Sequence, residues 1–225
     1  ETLKFKLFLS VPSIILAVIK ERKLVTQIAE KENLAGIISD NRFGALSKKV
    51  PSVYITHQLN VLSGKTTFLT SKIHQKIIEK FDECWVPDVE NEPNFSEMLG
   101  HINKAKFKVN YLGILSRFKK QYTAIKYDLL VLLSGPEPQR TLLENKLLIE
   151  LKGFNGEILF VRGVLSNETN ITAATNFKII DFLGSTDLEI AINQSEIVLA
   201  RSGYSTIMDL AVLGKKAFFI PTPGQ

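Results

Sequence analysis

The chain has 225 residues, of which 45% are hydrophobic and 23% are charged, and its formal net charge is +5. This composition is that of a folded globular protein and excludes an intrinsically disordered chain. The single cysteine, Cys84, excludes an internal disulfide and predicts a buried thiol in a reducing compartment.

The positive charge is concentrated in the first half of the chain. Residues 1–122 contain 19 Lys and Arg against 12 Asp and Glu, a net charge of +7, whereas residues 123–225 contain 9 against 11, a net charge of −2. A basic half fits an acidic ligand or an anionic membrane surface. We expect no nucleic-acid partner, because no basic run is interleaved with aromatic residues and no recognition motif is present.

The most apolar stretch runs from residue 7 to residue 19, and basic residues follow it directly. A helix needs about 20 apolar residues to span a bilayer, so this stretch is too short. It also contains Pro12. We therefore expect a helix buried in the protein core, the alternative being a segment that lies on a membrane surface.

The first half of the chain predicts strands that alternate with helices, which is typical of a parallel sheet. Apolar spacing predicts helices over residues 10–32 and 70–81, and strands over residues 34–39, 51–56, 83–86 and 107–112. Residues 117–123 are polar and basic, and they predict a linker.

A second α/β pattern begins at Tyr127. It comprises predicted strands over residues 127–133, 157–161, 177–180, 196–200 and 216–220, and predicted helices over residues 139–152, 185–193 and 202–213. We therefore predict an α/β protein with two Rossmann-like domains, residues 1–116 and 117–225, and a ligand in the cleft between them. Because the chain starts at Glu1 and Gln225 directly follows a strand, we expect both ends to be truncated.

The segment from Ala200 to Asp209 predicts an anion-binding site. A buried strand ends, Ser202 and Gly203 turn the chain, and a helix begins, so that free N–H groups and the positive end of the helix dipole meet at the turn. Helical spacing puts Asp209 on the same face, within reach of a ribose diol. An ordinary Ser N-cap with a solvent-facing Asp209 explains the same residues, and the segment alone leaves both interpretations open.

The second half of the chain resembles the C-terminal domain of family 28 glycosyltransferases. The resemblance is carried by Phe182-Leu183-Gly184, residues 196–200, Arg201-Ser202-Gly203, Thr206, Asp209, Gly214-Lys215 and residues 221–225. It implies a GT-B fold, in which two Rossmann-like domains enclose a cleft and the second domain binds a nucleotide sugar. The family includes enzymes whose acceptors are lipid-linked.

The resemblance also implies roles for residues of the second domain. Ser202 and Gly203 would hold the donor diphosphate, and Asp209, in place of the usual Glu, would bind the ribose. The backbone of Leu183 would contact the nucleobase. The other implied donor-side residues are Arg117, Ser134, Gly135, Arg201, Thr206 and Gln225. Pro136 and Pro138 depart from the family's glycine-rich phosphate loop, and each removes an N–H donor from it.

The first domain contains two candidate catalytic residues, His57 and Asp40. Each follows a predicted strand and therefore lies at a strand's carboxyl end. A hydrogen-bonded structural histidine and a turn-forming aspartate are the alternative interpretations, and the sequence does not decide between them. His74 and His101 lack partners at metal-ligand spacing, so we predict no metal site.

These features predict an inverting hexosyltransferase that moves a hexosyl or N-acetylhexosaminyl group from a UDP-sugar, or another nucleotide sugar, to a hydroxyl acceptor. We expect no cofactor and no metal, because the sequence contains no Asp-x-Asp pair. We expect a cytoplasmic protein on the inner face of a membrane, with a lipid-linked acceptor or a partner subunit. The alternatives are a sugar-nucleotide epimerase or hydrolase of the same architecture and a non-catalytic donor-binding subunit.

Overall fold

The computed structural model describes residues 2–165 and 176–221, with side chains from residue 10 onward. The chain divides into two compact units, residues 1–114 and residues 115–225. Each unit contains its own parallel sheet, of four strands in the first and five strands in the second. The α/β class and the parallel, Rossmann-like sheets predicted from the sequence are confirmed.

The first unit consists of one long helix, a four-stranded sheet and a second helix. Its elements are α1 (Thr2–Lys31), β1 (Ile37–Asp40), β2 (Ser52–Ile55), α2 (Thr67–Ile78), β3 (Glu83–Val86) and β4 (Val109–Tyr111). All neighbouring strands are parallel and lie in chain order. Tyr54, Ile78, Phe81 and Cys84 form the centre of its core. Burial raises the pKa of the Cys84 thiol to about 12, which confirms a buried, unreactive cysteine.

Helix α1 differs from the predicted buried helix, because its apolar residues are exposed. Ile14, Ile15, Leu16 and Ile19 are 45–58% exposed. The helix is instead anchored through its second half, where Ala29 is buried and the Glu21 carboxylate accepts a hydrogen bond from the Gly44 N–H at 3.2 Å. Apolar content alone did not reveal which part of the helix contacts the sheet.

In its described residues, 115–165 and 176–221, the second unit is a five-stranded parallel sheet with three α-helices. Its elements are β5 (Tyr127–Leu132), α3 (Gln139–Glu150), β6 (Ile158–Val161), β7 (Phe177–Ile180), α4 (Ser185–Asn193), β8 (Ser195–Arg201), α5 (Tyr204–Leu213) and β9 (Lys216–Ile220). The strand order is β7-β6-β5-β8-β9. The chain therefore builds outward in one direction from β5 and then returns to continue from β8 on its other side. Such a reversal creates a crevice at the carboxyl ends of the two central strands, where ligands of open α/β sheets bind.

Apolar side chains cover both faces of the second sheet, as expected for parallel strands. One face packs against α4 and α5 through Leu130, Val198 and Leu210. The other packs against α3 through Val131, Phe160 and Leu147. The carboxyl edge of the sheet is thereby supported by helices on both sides.

The segment predicted as a linker forms no helix or strand and follows the boundary between the two units, but one of its residues is packed onto the second unit. Phe118 is 3% exposed and belongs to the core of the second sheet. The Asn193 side chain fixes the following residues, because its oxygen accepts a hydrogen bond from the Gln121 N–H at 2.9 Å and its Nδ2 donates to the Lys119 carbonyl at 3.1 Å. Phe118 thus anchors a segment whose other residues, 117 and 119–123, are exposed.

Candidate functional site

A small cavity of about 200 Å³ lies at the carboxyl ends of β5 and β8, where the strand order reverses. Its polar lining residues are Arg117, Ser134, Ser205, Thr206 and Asp209. Its apolar walls include Leu133 from the end of β5 and Leu188 and Ile192 from α4. Four residues predicted separately from the sequence, at positions 117, 134, 206 and 209, are thus brought to one cavity.

The start of helix α5 forms one side of this cavity. The helix begins at Tyr204, with Gly203 as the N-cap residue in an extended conformation and without a side-chain cap. The first intrahelical hydrogen bond runs from the Ile207 N–H to the Gly203 carbonyl at 3.0 Å. The first-turn N–H groups therefore point out of the helix end, where the dipole is positive and an anion is favoured.

The ordinary Ser N-cap, one of the two interpretations left open for α5, is not formed. The N-cap residues are Gly184 and Gly203, and neither Ser185 nor Ser202 occupies the cap position. A glycine cap supplies no side-chain oxygen to the first-turn N–H groups. At α5 the cap residue therefore supplies no side-chain acceptor for those groups.

Asp209 lies one and a half turns into α5 and is half-buried, which contradicts the solvent-facing interpretation. Its Oδ1 atom accepts a hydrogen bond from the Ser116 hydroxyl at 2.6 Å. Ser116 also accepts a hydrogen bond from the Phe118 N–H at 3.0 Å. The carboxylate therefore has a fixed orientation at the cavity wall. No local sequence pattern predicts the hydrogen bond between Ser116 and Asp209, since the two residues are 93 positions apart.

The loop after β5 forms the opposite side of the cavity. Ser134 and Gly135 are exposed, and Gly135 has a φ of +108°, a conformation that favours glycine. A Cβ atom placed on Gly135 would meet nothing within 4 Å, so the space above the loop is open to a ligand. Pro136 and Pro138 offer no N–H group, which leaves the N–H groups of residues 134 and 135 as the nearest donors of this loop.

Arg117 and Arg201 have different environments. Arg117 is exposed at the cavity, with its guanidinium 5.1 Å from the Phe118 ring centre. Arg201 is only 6% exposed at the end of β8, where its Nη2 donates to the Gln139 carbonyl at 3.1 Å. Its Nε is buried and has no hydrogen-bond partner among the described residues. Arg201 does not line the cavity.

Two further predicted donor-side residues lie elsewhere. Leu183 lies between β7 and α4 and packs against the core rather than lining the cavity. Gln225 falls outside the described residues. The roles of both remain predictions.

His57 and Asp40 lie at the carboxyl edge of the first sheet. Asp40 is the last residue of β1 and pairs in register with Ile55, two residues before His57. Burial lowers the pKa of His57 from its ordinary value of 6.5, although the charges of Asp40 and Asp88 partly offset this effect. His57 is therefore neutral at pH 7, as a general base requires.

Asp88 lies at the same edge, and the sequence analysis did not identify it as a site residue. It is fully buried, and its carboxylate accepts hydrogen bonds from the backbone N–H groups of Val89, Phe95 and Ser96 and from the Ser96 hydroxyl. Burial disfavours its charge, but these hydrogen bonds outweigh burial and lower the pKa of Asp88. Asp88 thus organises the loop that follows β3.

Two larger cavities of about 870 Å³ lie in the first unit. One is lined by Glu90, Glu92 and Glu97 and would repel a diphosphate. The other contains the five lysines 65, 72, 76, 104 and 106 and suits an anionic ligand or surface. Neither combines a helix start with a fixed carboxylate, so the small cavity of the second unit is the better candidate for a nucleotide.

The described part of the chain contains neither a metal-binding cluster nor a membrane-spanning helix. Among residues 2–165 and 176–221, no group of three or more His, Cys, Asp or Glu side chains is placed to hold a metal ion. Within the same residues, no helix is both long enough and apolar enough to cross a bilayer.

The second unit, with parallel strands in this order and a helix start at the reversal, defines a Rossmann-like α/β protein. Residues 139–225 match the model of the Glycosyltransferase family 28 C-terminal domain. The resemblance predicted from the sequence is confirmed.

Curated relatives point to the same family. The chain is 25% identical over 185 residues to the UDP-N-acetylglucosamine--N-acetylmuramyl-(pentapeptide) pyrophosphoryl-undecaprenol N-acetylglucosamine transferase of Haemophilus ducreyi. The alignment covers 79% of this chain and 49% of the relative. The chain therefore spans about half the length of this relative.

Solved structures share the fold. The glycosyltransferase of kitacinnamycin is similar over 94% of this chain and 63% of its own, with a TM-score of 0.59 and 11% identity. MurG of Acinetobacter baumannii is similar over 92% of this chain and 58% of its own, with a TM-score of 0.52 and 15% identity.

Proposed function

We propose that the protein is a glycosyltransferase that transfers an N-acetylhexosaminyl or hexosyl group from a UDP-sugar to a hydroxyl acceptor. The observation that carries the proposal is the cavity of the second unit, where a helix start and a fixed carboxylate meet inside the segment that matches family 28. The family match and the name of the Haemophilus ducreyi relative support a UDP-sugar as donor.

In the proposed reaction the acceptor oxygen attacks the anomeric carbon with inversion, and the bond from that carbon to the diphosphate breaks. The acceptor proton passes to a base, and UDP leaves with the electron pair. The first-turn N–H groups of α5, the loop at Ser134 and Arg117 would stabilise the charge that develops on the diphosphate. Asp209 would hold the ribose, so that the diphosphate meets the helix start.

We further propose that His57 is the general base, oriented by the nearby charge of Asp40. The lowered pKa of His57 supports this assignment, because a neutral imidazole accepts a proton at pH 7.

We also propose a lipid-linked acceptor and peripheral contact with an anionic membrane. The Haemophilus ducreyi relative is named for an undecaprenol-linked acceptor. The exposed apolar residues of α1 and the net charge of +4 over residues 1–114, from 16 Lys and Arg against 12 Asp and Glu, give the first unit a surface that suits a membrane face.

Replacement of Asp209 by Ala tests the donor site. The substitution removes charge-assisted hydrogen bonds of about 1.5–3 kcal/mol each, so the affinity for UDP should fall by roughly tenfold to a hundredfold. The measurement is calorimetric titration of the full-length protein with UDP. Asp187→Ala is the matched control, because it removes an exposed carboxylate of the same unit outside the cavity.

The same titration in EDTA tests metal independence. We expect an unchanged affinity for UDP, since helix-end N–H groups and Arg117 are proposed to meet the phosphate charge. A requirement for Mg²⁺ or Mn²⁺ in UDP binding would refute metal independence. If Asp209→Ala binds UDP as tightly as the parent protein does, the donor site is refuted.

Acceptor-dependent release of UDP from a UDP-sugar separates a transferase from a hydrolase, an epimerase or a non-catalytic subunit.

A further inference from the structure

Five charged side chains of alternating sign run along the carboxyl edge of the second sheet. We call them the ion-pair chain, and they are Glu137, Arg140, Glu144, Arg162 and Asp181. Glu144 is the central member, because one of its oxygens pairs with Arg140 and the other with the Arg162 Nε at 2.6 Å. The ends are the Arg140–Glu137 pair and the Arg162–Asp181 pair, the latter at 2.7 Å.

The centre of the ion-pair chain is buried. The side chains of Arg140 and Glu144 are 6% and 4% exposed, and those of Arg162 and Asp181 are 14% and 17% exposed. Arg140 also donates to the Arg162 carbonyl at 3.2 Å and to the Thr141 hydroxyl at 2.7 Å. The arginine planes are thus held by several directional hydrogen bonds.

Buried ion pairs of this kind are a poor source of stability. The cost of removing charges from water offsets most of their attraction, and well-packed apolar residues of similar size are often equally stable or more stable. Such a network does provide a fixed geometry, because a buried charge without a correctly placed partner is energetically costly. The role of the ion-pair chain therefore depends on the loops at its two ends.

One end holds the loop at Ser134, which the proposed function assigns to the donor, and the other precedes the segment at Leu183, whose contact with the nucleobase remains a prediction from the sequence. At one end, Glu137 lies in the loop that follows Ser134, and its carboxylate accepts hydrogen bonds from the Thr141 N–H at 3.2 Å and the Thr141 hydroxyl at 2.7 Å. At the other end, Asp181 directly precedes Phe182 and Leu183, the proposed nucleobase segment. Its carbonyl accepts a hydrogen bond from the Val164 N–H at 3.0 Å.

We infer that the ion-pair chain positions the diphosphate loop and the nucleobase segment relative to each other, with Arg140, Glu144 and Arg162 as positioning residues for the donor. This inference rests on the proposed function. The three residues act through the loops, and their effect is on donor geometry rather than on the reacting atoms. Misplacement of a bound group by about 1 Å can cost a hundredfold in rate, so a small shift of either loop is sufficient.

The central test is Glu144→Gln, which keeps the size of the side chain and removes the charge shared by both arginines. We expect the dissociation constant for UDP to rise by about tenfold, with unchanged calorimetric stoichiometry. In turnover, the KM for the donor should rise while the KM for the acceptor stays constant. A merely structural role would reduce the stoichiometry and the apparent kcat instead, because part of the protein would be unfolded, and it would leave the dissociation constant unchanged.

Variants at the two ends keep the inference testable if the central variant does not fold. Asp181→Asn should weaken UDP and UMP by the same factor, because it loosens the nucleobase segment. Glu137→Gln should weaken UDP more than UMP, because it loosens the loop proposed to hold the diphosphate. Equal effects of the two variants on both nucleotides would overturn the inference.

The matched control is Glu196→Gln, which removes an exposed ion pair with Lys216 at 3.5 Å on the same sheet. It should leave UDP binding unchanged. If Asp209→Ala weakens UDP binding and Glu144→Gln does not, the inference fails while the proposed function stands. If the parent does not bind UDP, or if Asp209→Ala binds it undiminished, the proposed function fails and the inference falls with it.

Discussion

His57 illustrates how the surroundings of one residue decide what it can do. Burial disfavours the imidazolium, and the neighbouring carboxylates of Asp40 and Asp88 offset this only in part, so the pKa of His57 lies below 6.5. A lowered pKa favours the neutral imidazole at pH 7, which is the state that accepts a proton. The two sequence-based interpretations, structural and catalytic, are separated by pH dependence.

If His57 is the base, kcat should be highest at and above neutral pH and should fall as the pH drops through the lowered pKa of His57, because protonation removes the acceptor. His57→Gln should lower kcat by about a hundredfold to ten-thousandfold and abolish this acidic limb. The measurement is a pH–rate profile of sugar transfer at saturating substrate.

Asp40→Asn should shift the same limb to lower pH, because it removes a charge that favours the imidazolium. His74→Gln is the histidine control, since His74 packs against the Phe43 ring and its Nε2 bonds to the Gln58 carbonyl at 2.8 Å. A His57→Gln variant with wild-type kcat and an unchanged acidic limb would assign His57 a structural role only.

The two ends of helix α5 differ: its start is proposed to bind phosphate, and its end is structural. Gly203, at its start, has a φ of −70°, which any residue adopts, and a Cβ atom there would meet only the Thr206 Oγ1 at 3.7 Å. Gly214, at its end, has a φ of +62°, which strains any residue with a side chain. The two glycines of one helix therefore serve different purposes.

Gly203→Val should leave the melting temperature almost unchanged and weaken UDP binding, because the branched side chain would occupy the space proposed for the phosphate. Gly214→Val should do the opposite, since it adds a left-handed backbone strain of about 1–2 kcal/mol far from the cavity. Calorimetric UDP titration and thermal melting of both variants give a crossed comparison. A Gly203→Val variant that binds UDP normally would show that no phosphate approaches this turn.

Local patterns predicted the elements of the second unit well. Strands β7 and β9 and helix α4 begin and end at the predicted residues, because continuous apolar runs and clear turn residues bound them. Helix α5 begins two residues later than predicted, at Tyr204, since Gly203 rather than Ser202 is the cap. These are features that a window of a few residues contains.

Contacts between distant residues could not be predicted in the same way. The Ser116–Asp209 hydrogen bond, the docking of Phe118 and the pairing of Arg162 with Glu144 each depend on the completed sheet. No local pattern marks Ser116 as the partner of a carboxylate. The sequence therefore indicated which residues form the cavity better than it indicated what orients them.

At the scale of the whole molecule, charge and exposed apolar surface coincide in the first unit. Ile14, Ile15, Leu16 and Ile19 of α1 are largely exposed, and a shallow surface at Ile19 is lined by Arg22, Lys23, Lys48 and Lys49. Apolar side chains beside basic ones suit the boundary between head groups and acyl chains.

The full-length protein should therefore sediment with liposomes that contain anionic lipid and much less with neutral liposomes, because each basic residue near the surface contributes about 1 kcal/mol. Replacement of Leu16 and Ile19 by Gln should reduce this binding without affecting UDP affinity, since the donor cavity lies in the second unit. Leu142→Gln, at a residue of α3 that is 65% exposed, is the control. Equal sedimentation with both kinds of liposome would refute the membrane contact.

The strand order of the second unit has an evolutionary consequence. The proposed donor residues hang from the ends of β5, β7 and β8, while the strands and the helices that cover them carry the stability of the unit. In the proposed donor site, substitutions in those loops would alter the preferred nucleotide or sugar while the strands and helices beneath them stay unchanged. Pro136 and Pro138, which replace N–H donors in one such loop, are changes that this scaffold can carry while the sheet beneath them stays intact.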